Sequence, residues 1–403
     1  MKKQIYILLF LLLAVLGALP ASAQIIDAQG QYVDTVFNDH VDRTVEDFVI
    51  ASLVVADPGT FMYSVLGHAC LRLQCPTFDM DYCFSYESEN ERDKVRKFLA
   101  GKLIMGLFAI PTKDYCDLYF VEGRGVYEYE LNLPINVKRE LWRVIDDHLA
   151  EGIRLPYDYY NRGCAIAIVD FLKEALGEKE IVYDKSLYDY SPTGRDLVKA
   201  NTTRALWVRF IACFLAGSEV DEPLIGDKQL LVPVDLVRAW QKAKVDGEYL
   251  LASKPNVLVE GKPQVNDGWF TPMVLAIILL MFSIINLWVK YPYFDWLMLA
   301  LQTFVACGMV YLIVFSDLCC TDWNWLVVPF NPLPIICWKW RKYWATLYAG
   351  LLALWCVVMI AMTIWVHVLA DWNHIVMVLS WMLIVIKQSK LFIHCQDVME
   401  NRM

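Results

Sequence analysis

The stretch "YDYYNRGCAIAIVDFL", Tyr157 to Leu172, changes character at Cys164. It is polar and aromatic before that cysteine, and apolar with helical spacing after it, up to about Ala175 and a stop at Gly177. The spacing predicts a helix that begins at a cysteine. The helix dipole is expected to lower the pKa of such a thiol below its ordinary value of about 8.5. A cysteine followed by Ala-Ile-Ala-Ile-Val is also a common core residue, so a buried structural thiol is the alternative to a nucleophile.

The chain around this helix has the patterns of a mixed α+β domain. "HACLRL" alternates as a strand does, so that His68, Cys70 and Arg72 share one face. The predicted elements are strands at 68–73, 80–86 and 126–133 and an amphipathic helix at 137–152.

A thiol nucleophile needs a base that takes its proton and returns it to the leaving group. His68 stands at the head of a strand, on the same face as a cysteine and an arginine, and can serve as that base. His148 lies on a solvated helix face among acidic residues, which makes it the weaker candidate. A lone histidine on a strand is also commonly a structural residue, and the residue types alone leave both interpretations open.

Composition and charge narrow the class of protein. The chain has 403 residues, of which 57% are hydrophobic and 15 are tryptophan, and this composition predicts a membrane portion. The net charge of −9 argues against a nucleic-acid partner, because no broad basic face is available for phosphates.

The N-terminal segment has the three parts of a signal peptide. Lys2 and Lys3 are followed by an apolar run and by an A-x-A cleavage site that ends at Ala23. Gln24 rather than a cysteine follows the site, so it is not a lipoprotein signal. We expect an exported domain, which in a bacterial cell means the periplasm; an uncleaved anchor helix is the alternative.

Four apolar stretches in the C-terminal third are near the length that crosses a bilayer. They lie at 272–289, 294–316, 343–369 and 372–386. Between the second and the third, Pro329, Pro332 and Pro334 disfavour a straight helix. The predicted organisation is a signal peptide at 1–23, a periplasmic domain at 24–265, and a four-helix transmembrane region at 266–403 with a periplasmic re-entrant or interfacial loop near 317–342.

The basic residues conflict with this topology. Four spans would leave Lys339, Arg341, Lys342 and Lys387 on the periplasmic side, against the positive-inside rule. We give the signal sequence more weight because it fixes the side of the first domain.

The remaining patterns predict neither a metal nor a cofactor. The twelve cysteines include no C-x-x-C pair, and no nucleotide-binding glycine loop is present. Cys75 and Cys83 are spaced to bridge a hairpin, although spacing alone does not establish their pairing.

Several blocks, in this order, resemble those of Lnb-type lipoprotein N-acyltransferases of Bacteroidota. The blocks are "GHACLRL", "DYCFSY", "LPYDYYNRGCAIAIVDFL", "GSEVDEPLIGDKQLLVPVDL" and "NWLVVPFNPL", so the resemblance covers most of the chain. The order of histidine first and cysteine later is similar to that of permuted papain-like (NlpC-like) proteins, which include the lecithin:retinol acyltransferase group. The resemblance implies this fold for the periplasmic domain.

The resemblance also implies roles for individual residues. Cys164 matches the nucleophile and His68 the base, while Asp170 matches a structural acid. Arg72 is a possible contact to a phosphate or an oxyanion, with an internal ion pair as the even alternative. Possible substrate or oxyanion contacts are Tyr157, Tyr159 and Asn161, and the candidates for a third polar residue that orients the histidine are Asp81, Ser85 and Glu87.

The chain departs from the family pattern at three positions beside the cysteine. Gly163 stands where the family usually has asparagine, and Ile166 and Ala167 stand where it has polar residues.

The implied reaction moves an acyl chain from a membrane phospholipid to the cysteine and then to the α-amine of a diacylglyceryl-cysteine lipoprotein. The expected setting is the bacterial inner membrane, with the thiol domain in the periplasm. A thiol amidase or peptidase of the envelope would use the same two residues with water as acceptor, but it gives no reason for the apolar spans. A non-catalytic membrane maturation factor would explain the three departures.

Overall fold

A computed structural model describes residues 49–88, 93–252, 254–262, 268–289, 291–365 and 371–389. The predicted signal peptide at 1–23 lies outside the described residues. The described chain has a mixed α+β domain followed by a bundle of apolar helices.

The domain is built on a seven-stranded antiparallel sheet with the strand order β6-β4-β3-β2-β1-β5-β9. A two-stranded ribbon, β7-β8, lies apart from it. The strands are β1 Ile50–Ala56, β2 His68–Cys75, β3 Met80–Ser88, β4 Ile104–Pro111, β5 Val126–Glu130, β6 Arg154–Pro156, β7 Lys244–Val245, β8 Glu248–Tyr249 and β9 Asn256–Val259.

Helices cover both faces of this sheet. Those of the domain are α1 Lys94–Leu99, α2 Thr112–Glu122, α3 Ile135–Glu151, α4 Cys164–Leu176, α5 Gly194–Asn201, α6 Leu206–Leu215 and α7 Pro233–Trp240. The alternation of β2 decides the packing: Ala69 and Leu71 join α3 and α4 in the main core, while Cys70 packs with Tyr115 and Tyr119 of α2. The strands and helices predicted from the sequence are present.

The pairing register separates Cys75 from Cys83, the two cysteines whose spacing would allow a bridge across the hairpin. Cys75 pairs with Met80, whereas Cys83 lies opposite Arg72. Both thiols are free and buried.

In the described part of the chain, the bundle has four helices of 15 residues or more, at the places where the sequence predicts spans. These are α8 Pro272–Asn286, α9 Tyr293–Val314, α11 Arg341–Trp365 and α12 Trp372–Lys387, with the short α10 Leu333–Ile336 between the second and third. Two segments of the described chain are long and apolar enough to cross a membrane, Tyr293–Val314 and Trp338–Ile364. The helices α8 and α12 have 15 and 16 residues, fewer than the ~20 that a straight crossing needs.

One end of the sheet contacts the bundle. At this junction end, β2 and β4 begin and β1 and β3 end. Ser316, just after α9, donates to the carbonyl of Leu99 at 2.6 Å. Gly101 has a φ of +68°, and a Cβ there would collide with the backbone of Asp317, so the close approach requires glycine.

The irregular segment Asn324–Trp340 starts at the domain end of the bundle. The side-chain amide of Asn324 donates to the carbonyl of Phe214 in α6 at 2.7 Å. Further along, Gln302, near the middle of α9, donates to the carbonyl of Asn331 at 2.7 Å. A side chain from inside the bundle thus satisfies a carbonyl of this non-helical backbone.

The same segment finishes at the opposite, distal end. Trp338 packs on Trp296, in the first turn of α9, with ring centroids 5.8 Å apart. Arg341 then donates to the side chain of Gln388, just beyond α12, at 2.8 Å. The sequence predicts one loop near 317–342 on the domain side, whereas the structure has only the first part of that loop there.

A buried polar cluster closes the distal end. Lys387 forms an ion pair with Asp295 at 3.1 Å, and Asn286 and Gln388 both donate to the same carboxylate. This cluster joins the end of α8, the start of α9 and the end of α12.

Candidate active site

Cys164 is the first residue of α4, as predicted. Its N-cap is Gly163, in an extended conformation, and the residue Cys164 is half-buried. Burial raises the pKa of the Cys164 thiol, although hydrogen bonds from the backbone amides of Ala69, Ala165 and Cys164 itself oppose it. The expectation of a lowered pKa is therefore wrong, because at this helix start the cost of burying a thiolate exceeds the stabilisation by the amides.

His68 begins β2 and lies next to Ala69, whose amide points at the thiol. Its Nε2 is hydrogen-bonded to the hydroxyl of Ser85 at 2.6 Å. Burial lowers the pKa of the His68 imidazole to about 4, and the positive charge of Arg124 adds to this. At neutral pH both His68 and Cys164 are therefore uncharged.

Ser85 connects the imidazole to a carboxylate. Burial raises the pKa of the Glu87 carboxyl, and a hydrogen bond from the Ser85 hydroxyl lowers it by less. Glu87 is close enough for its charge to raise the pKa of Cys164. Of the three candidates for a polar residue that orients His68, Ser85 contacts it directly and Glu87 lies behind Ser85.

The third candidate, Asp81, belongs to a different cluster. It accepts two hydrogen bonds from Arg72, at 2.8 and 2.7 Å, and one from Thr112 at 2.5 Å. Arg72 also pairs with Glu128 at 2.9 Å and is only 4% exposed. The internal ion pair, one of the two predicted roles of Arg72, is the one that the structure shows.

The tyrosine-rich approach to the cysteine forms an aromatic cluster. The ring of Phe98 packs on those of Tyr157 and Tyr159, with centroids 6.1 and 6.4 Å away, and the two tyrosine rings are 6.3 Å apart. Asn161 donates its side-chain amide to Asp158 at 3.0 Å. This amide is thus used within its own turn.

Cys319 is a neighbour that sequence reasoning missed. It follows α9 in the loop at the domain end of the bundle. Burial acts to raise the pKa of Asp158, but hydrogen bonds from Asn161, Cys319 and the Tyr160 amide outweigh it, so that the pKa of this carboxyl is lowered. Burial raises the pKa of Tyr157, and the nearby thiols of Cys164 and Cys319 add to this rise. No sequence motif links this loop to the nucleophile region; only the packing of the domain on the bundle does.

The remaining predicted residues lie on or near α4. Asp170 lies on the exposed face of the helix; partial desolvation of its carboxyl raises its pKa, and the charge of Lys173 opposes this rise. Ile166 packs in a small apolar cluster with Leu66 and Tyr160, and Ala167 packs against the main core. The two departures from the family's polar pattern are therefore satisfied by apolar packing.

No hydrogen bond joins His68 to Cys164 within the described ranges. The two side chains come from different elements to the same end of β2. Among the described residues, no group of three or more His, Cys, Asp or Glu side chains is arranged to hold a metal ion.

A family model described as the Lnb N-terminal periplasmic domain matches residues 39–199. The match contains the sheet from β1 to β6, His68, Ser85, Glu87 and Cys164, and it stops before α6 and the bundle. No curated protein and no solved structure matches the chain.

Proposed function

We propose that this chain, whose residues 39–199 match the Lnb N-terminal periplasmic domain, is a lipoprotein N-acyltransferase of the bacterial inner membrane. The match supports a role in lipoprotein processing. The observation that carries the finer proposal is that His68 and Cys164 lie at the junction end of the sheet, where Tyr157 is near both Cys164 and Cys319 of the loop that follows α9. A thiol at this place meets substrates that are themselves held in a membrane.

The hydrogen bonds around His68 favour one tautomer. When the Ser85 hydroxyl donates to Glu87, it accepts from Nε2–H of His68, which leaves the lone pair on Nδ1. Nδ1 is then the atom that takes the thiol proton. The imidazole or the thiol must turn toward the other when substrate binds, since the resting pair is not hydrogen-bonded.

In the first half-reaction, Nδ1 of His68 takes the proton of Cys164 as the sulfur attacks the ester carbonyl of a phospholipid. The backbone amides at the start of α4 stabilise the resulting oxyanion. The intermediate collapses by breaking the ester C–O bond, and the imidazolium returns the proton to the departing lysophospholipid oxygen. Cys164 now carries the acyl chain as a thioester.

In the second half-reaction, the α-amine of a lipoprotein's diacylglyceryl-cysteine attacks the thioester. His68 takes the amine proton, the C–S bond breaks, and the thiolate of Cys164 recovers its proton. The product is an N-acylated lipoprotein. No cofactor takes part in this sequence.

Reporter-lipoprotein mass tests the proposal in a strain that lacks its own N-acylating enzyme. We expect the full chain to add one acyl chain, and both Cys164→Ser and His68→Ala to abolish the gain. Matched controls are Cys307→Ser, an exposed thiol of α9, and His148→Ala, whose partner is Glu174 on the domain surface; both should retain the gain. Unchanged acylation by Cys164→Ser would favour a non-catalytic maturation factor instead, and a wild-type chain that adds no acyl group would contradict the transferase.

The bundle contacts also favour a particular membrane arrangement. If the irregular segment Asn324–Trp340 also crosses the membrane, the chain crosses it five times, and its C-terminal side lies on the other side of the membrane from the domain. The basic residues Lys339, Arg341, Lys342 and Lys387 then lie at the distal, cytoplasmic end, in accord with the positive-inside rule. A reporter that is active only in the periplasm, fused after Ser389, should be silent, whereas one inserted after Trp323 should be active. The reverse result for the first fusion would restore the four-span topology.

A further inference from the structure

A compact set of apolar side chains lies exposed at the junction end of the sheet. We call it the apolar lip and define it by Phe61, Met62 and Tyr63, in the β1–β2 loop, and Phe120 and Val121, at the end of α2. Their exposed fractions are 42, 44, 73, 45 and 79%. Soluble surfaces seldom gather so many large apolar groups without a partner.

Hydrogen bonds and ring contacts hold the lip in shape. The rings of Phe61 and Tyr63 stack with centroids 5.6 Å apart. The amide of Gly59 donates to the carbonyl of Ser64 at 2.8 Å, which closes the loop. The Tyr63 hydroxyl reaches the carboxylate of Glu122 at 3.5 Å and so joins the two halves.

The lip adjoins the candidate active site. Arg124 donates to the carbonyl of Asp57, at the base of the loop, at 2.6 Å, and its charge acts on His68. His68 itself follows the loop directly. The lip and the Cys164–His68 pair therefore lie at the same end of the sheet.

The lip is also next to the chain that enters the bundle. The amide of Lys262 donates to the carbonyl of Gly123, which follows the lip residue Val121, at 2.9 Å. Thr271, the N-cap of α8, comes nine residues later, so at most about 30 Å of chain separates the lip from that helix. The exposed Trp269 and Phe270 lie within this interval. The lip therefore lies within this length of chain from the first helix of the bundle, and at the same end of the sheet that contacts the bundle.

We propose that the apolar lip inserts into the outer surface of the lipid bilayer beside the bundle and positions the candidate site over its acyl donor. The occupant is a lipid surface. The positioning of the site over an acyl donor rests on the proposed function. The insertion of the lip does not, because the lip can insert without any acyl transfer. Aromatic and aliphatic side chains with a nearby lysine are the composition that an interfacial contact uses.

Photocrosslinking in membranes tests the insertion. Tyr63 is replaced by the photoreactive p-benzoylphenylalanine in the full chain, membranes are irradiated, and the mass of the labelled peptide is measured. Phe78 is the matched control: it is aromatic, 70% exposed, and lies in the β2–β3 turn at the opposite end of the sheet. We expect a phospholipid adduct at position 63 several-fold above that at position 78.

The arms of the experiment separate the possible failures. The adduct should persist in a Cys164→Ser background, so a lost transferase activity leaves the insertion testable. Equal lipid adducts at both positions, no lipid adduct at position 63, or an adduct to protein there would each overturn the proposal. A Met62→Glu variant should also lower acyl transfer several-fold while Phe78→Glu does not; if neither variant changes transfer, the lip does not position the site over its donor.

Discussion

Arg72 and His68 lie on the same face of β2, four residues apart, and their surroundings differ in kind. Arg72 is charged, nearly inaccessible, and paired with two carboxylates from β3 and β5. His68 is uncharged at neutral pH, partly accessible, and linked through one hydroxyl to one carboxyl group. Arg72 and Glu128 of the first cluster are closed to solvent. The second cluster lies at the start of the strand, where the backbone amide of Ala69 contacts the Cys164 thiol.

The comparison shows how one strand serves both stability and chemistry. The Arg72 cluster lies inside the sheet and joins β2, β3 and β5. The His68 cluster lies where β2 begins, at the junction end that meets the bundle. Position along the strand, rather than the type of residue, separates the structural group from the candidate catalytic one.

Removing the charge of Arg72 should give the largest effect on stability. Arg72→Met leaves Asp81 and Glu128 without their cation, and Glu128 is buried, so we expect a loss of about 3 kcal/mol in the free energy of unfolding. Chemical denaturation of the purified full chain measures this. Arg143→Met, which removes two exposed ion pairs on α3, with Glu140 and Asp147, should leave the unfolding transition where it is. A stable Arg72→Met protein with lost acyl transfer would instead assign Arg72 to the substrate.

The sequence predicted the α+β class, the helix that begins at Cys164 and the placement of His68, because alternation and helical spacing are local signals. It did not predict which role Arg72 has, since its partner Glu128 lies 56 positions away and reaches it only through the pairing of β1 with β2 and β5. It missed Cys319 for the same reason. The pKa of Cys164 was predicted in the wrong direction because the dipole is visible in the sequence and burial is not.

Ser85→Ala should have a smaller effect, confined to the chemistry. The substitution removes the hydroxyl that holds Nε2 of His68, so the tautomer with a lone pair on Nδ1 is no longer favoured. We expect the rate of acyl transfer to fall by roughly three- to tenfold, the value of one hydrogen bond of about 1 kcal/mol. Ser52→Ala, an equally buried serine of β1, is the control for packing. Equal rates for Ser85→Ala and the wild type would mean that Ser85 does not position the base.

The pH dependence is the most gradual test of the comparison. Because the pKa of His68 is lowered to about 4 from an ordinary 6.5, the imidazole remains a base down to that pH. The acidic limb of kcat/KM against pH should therefore have its inflection near 4 rather than near 6.5.

The lowered pKa of His68 also makes the free energy of unfolding depend on pH. The unfolded chain binds a proton at His68 below pH 6.5, whereas the folded chain does not until about 4. The contribution of the neutral His68 to stability is therefore complete above pH 6.5 and is lost as the pH falls toward 4. His68→Gln should remove that part of the stability change, and an inflection of kcat/KM near 6.5 would show that the imidazole is solvated in the working enzyme.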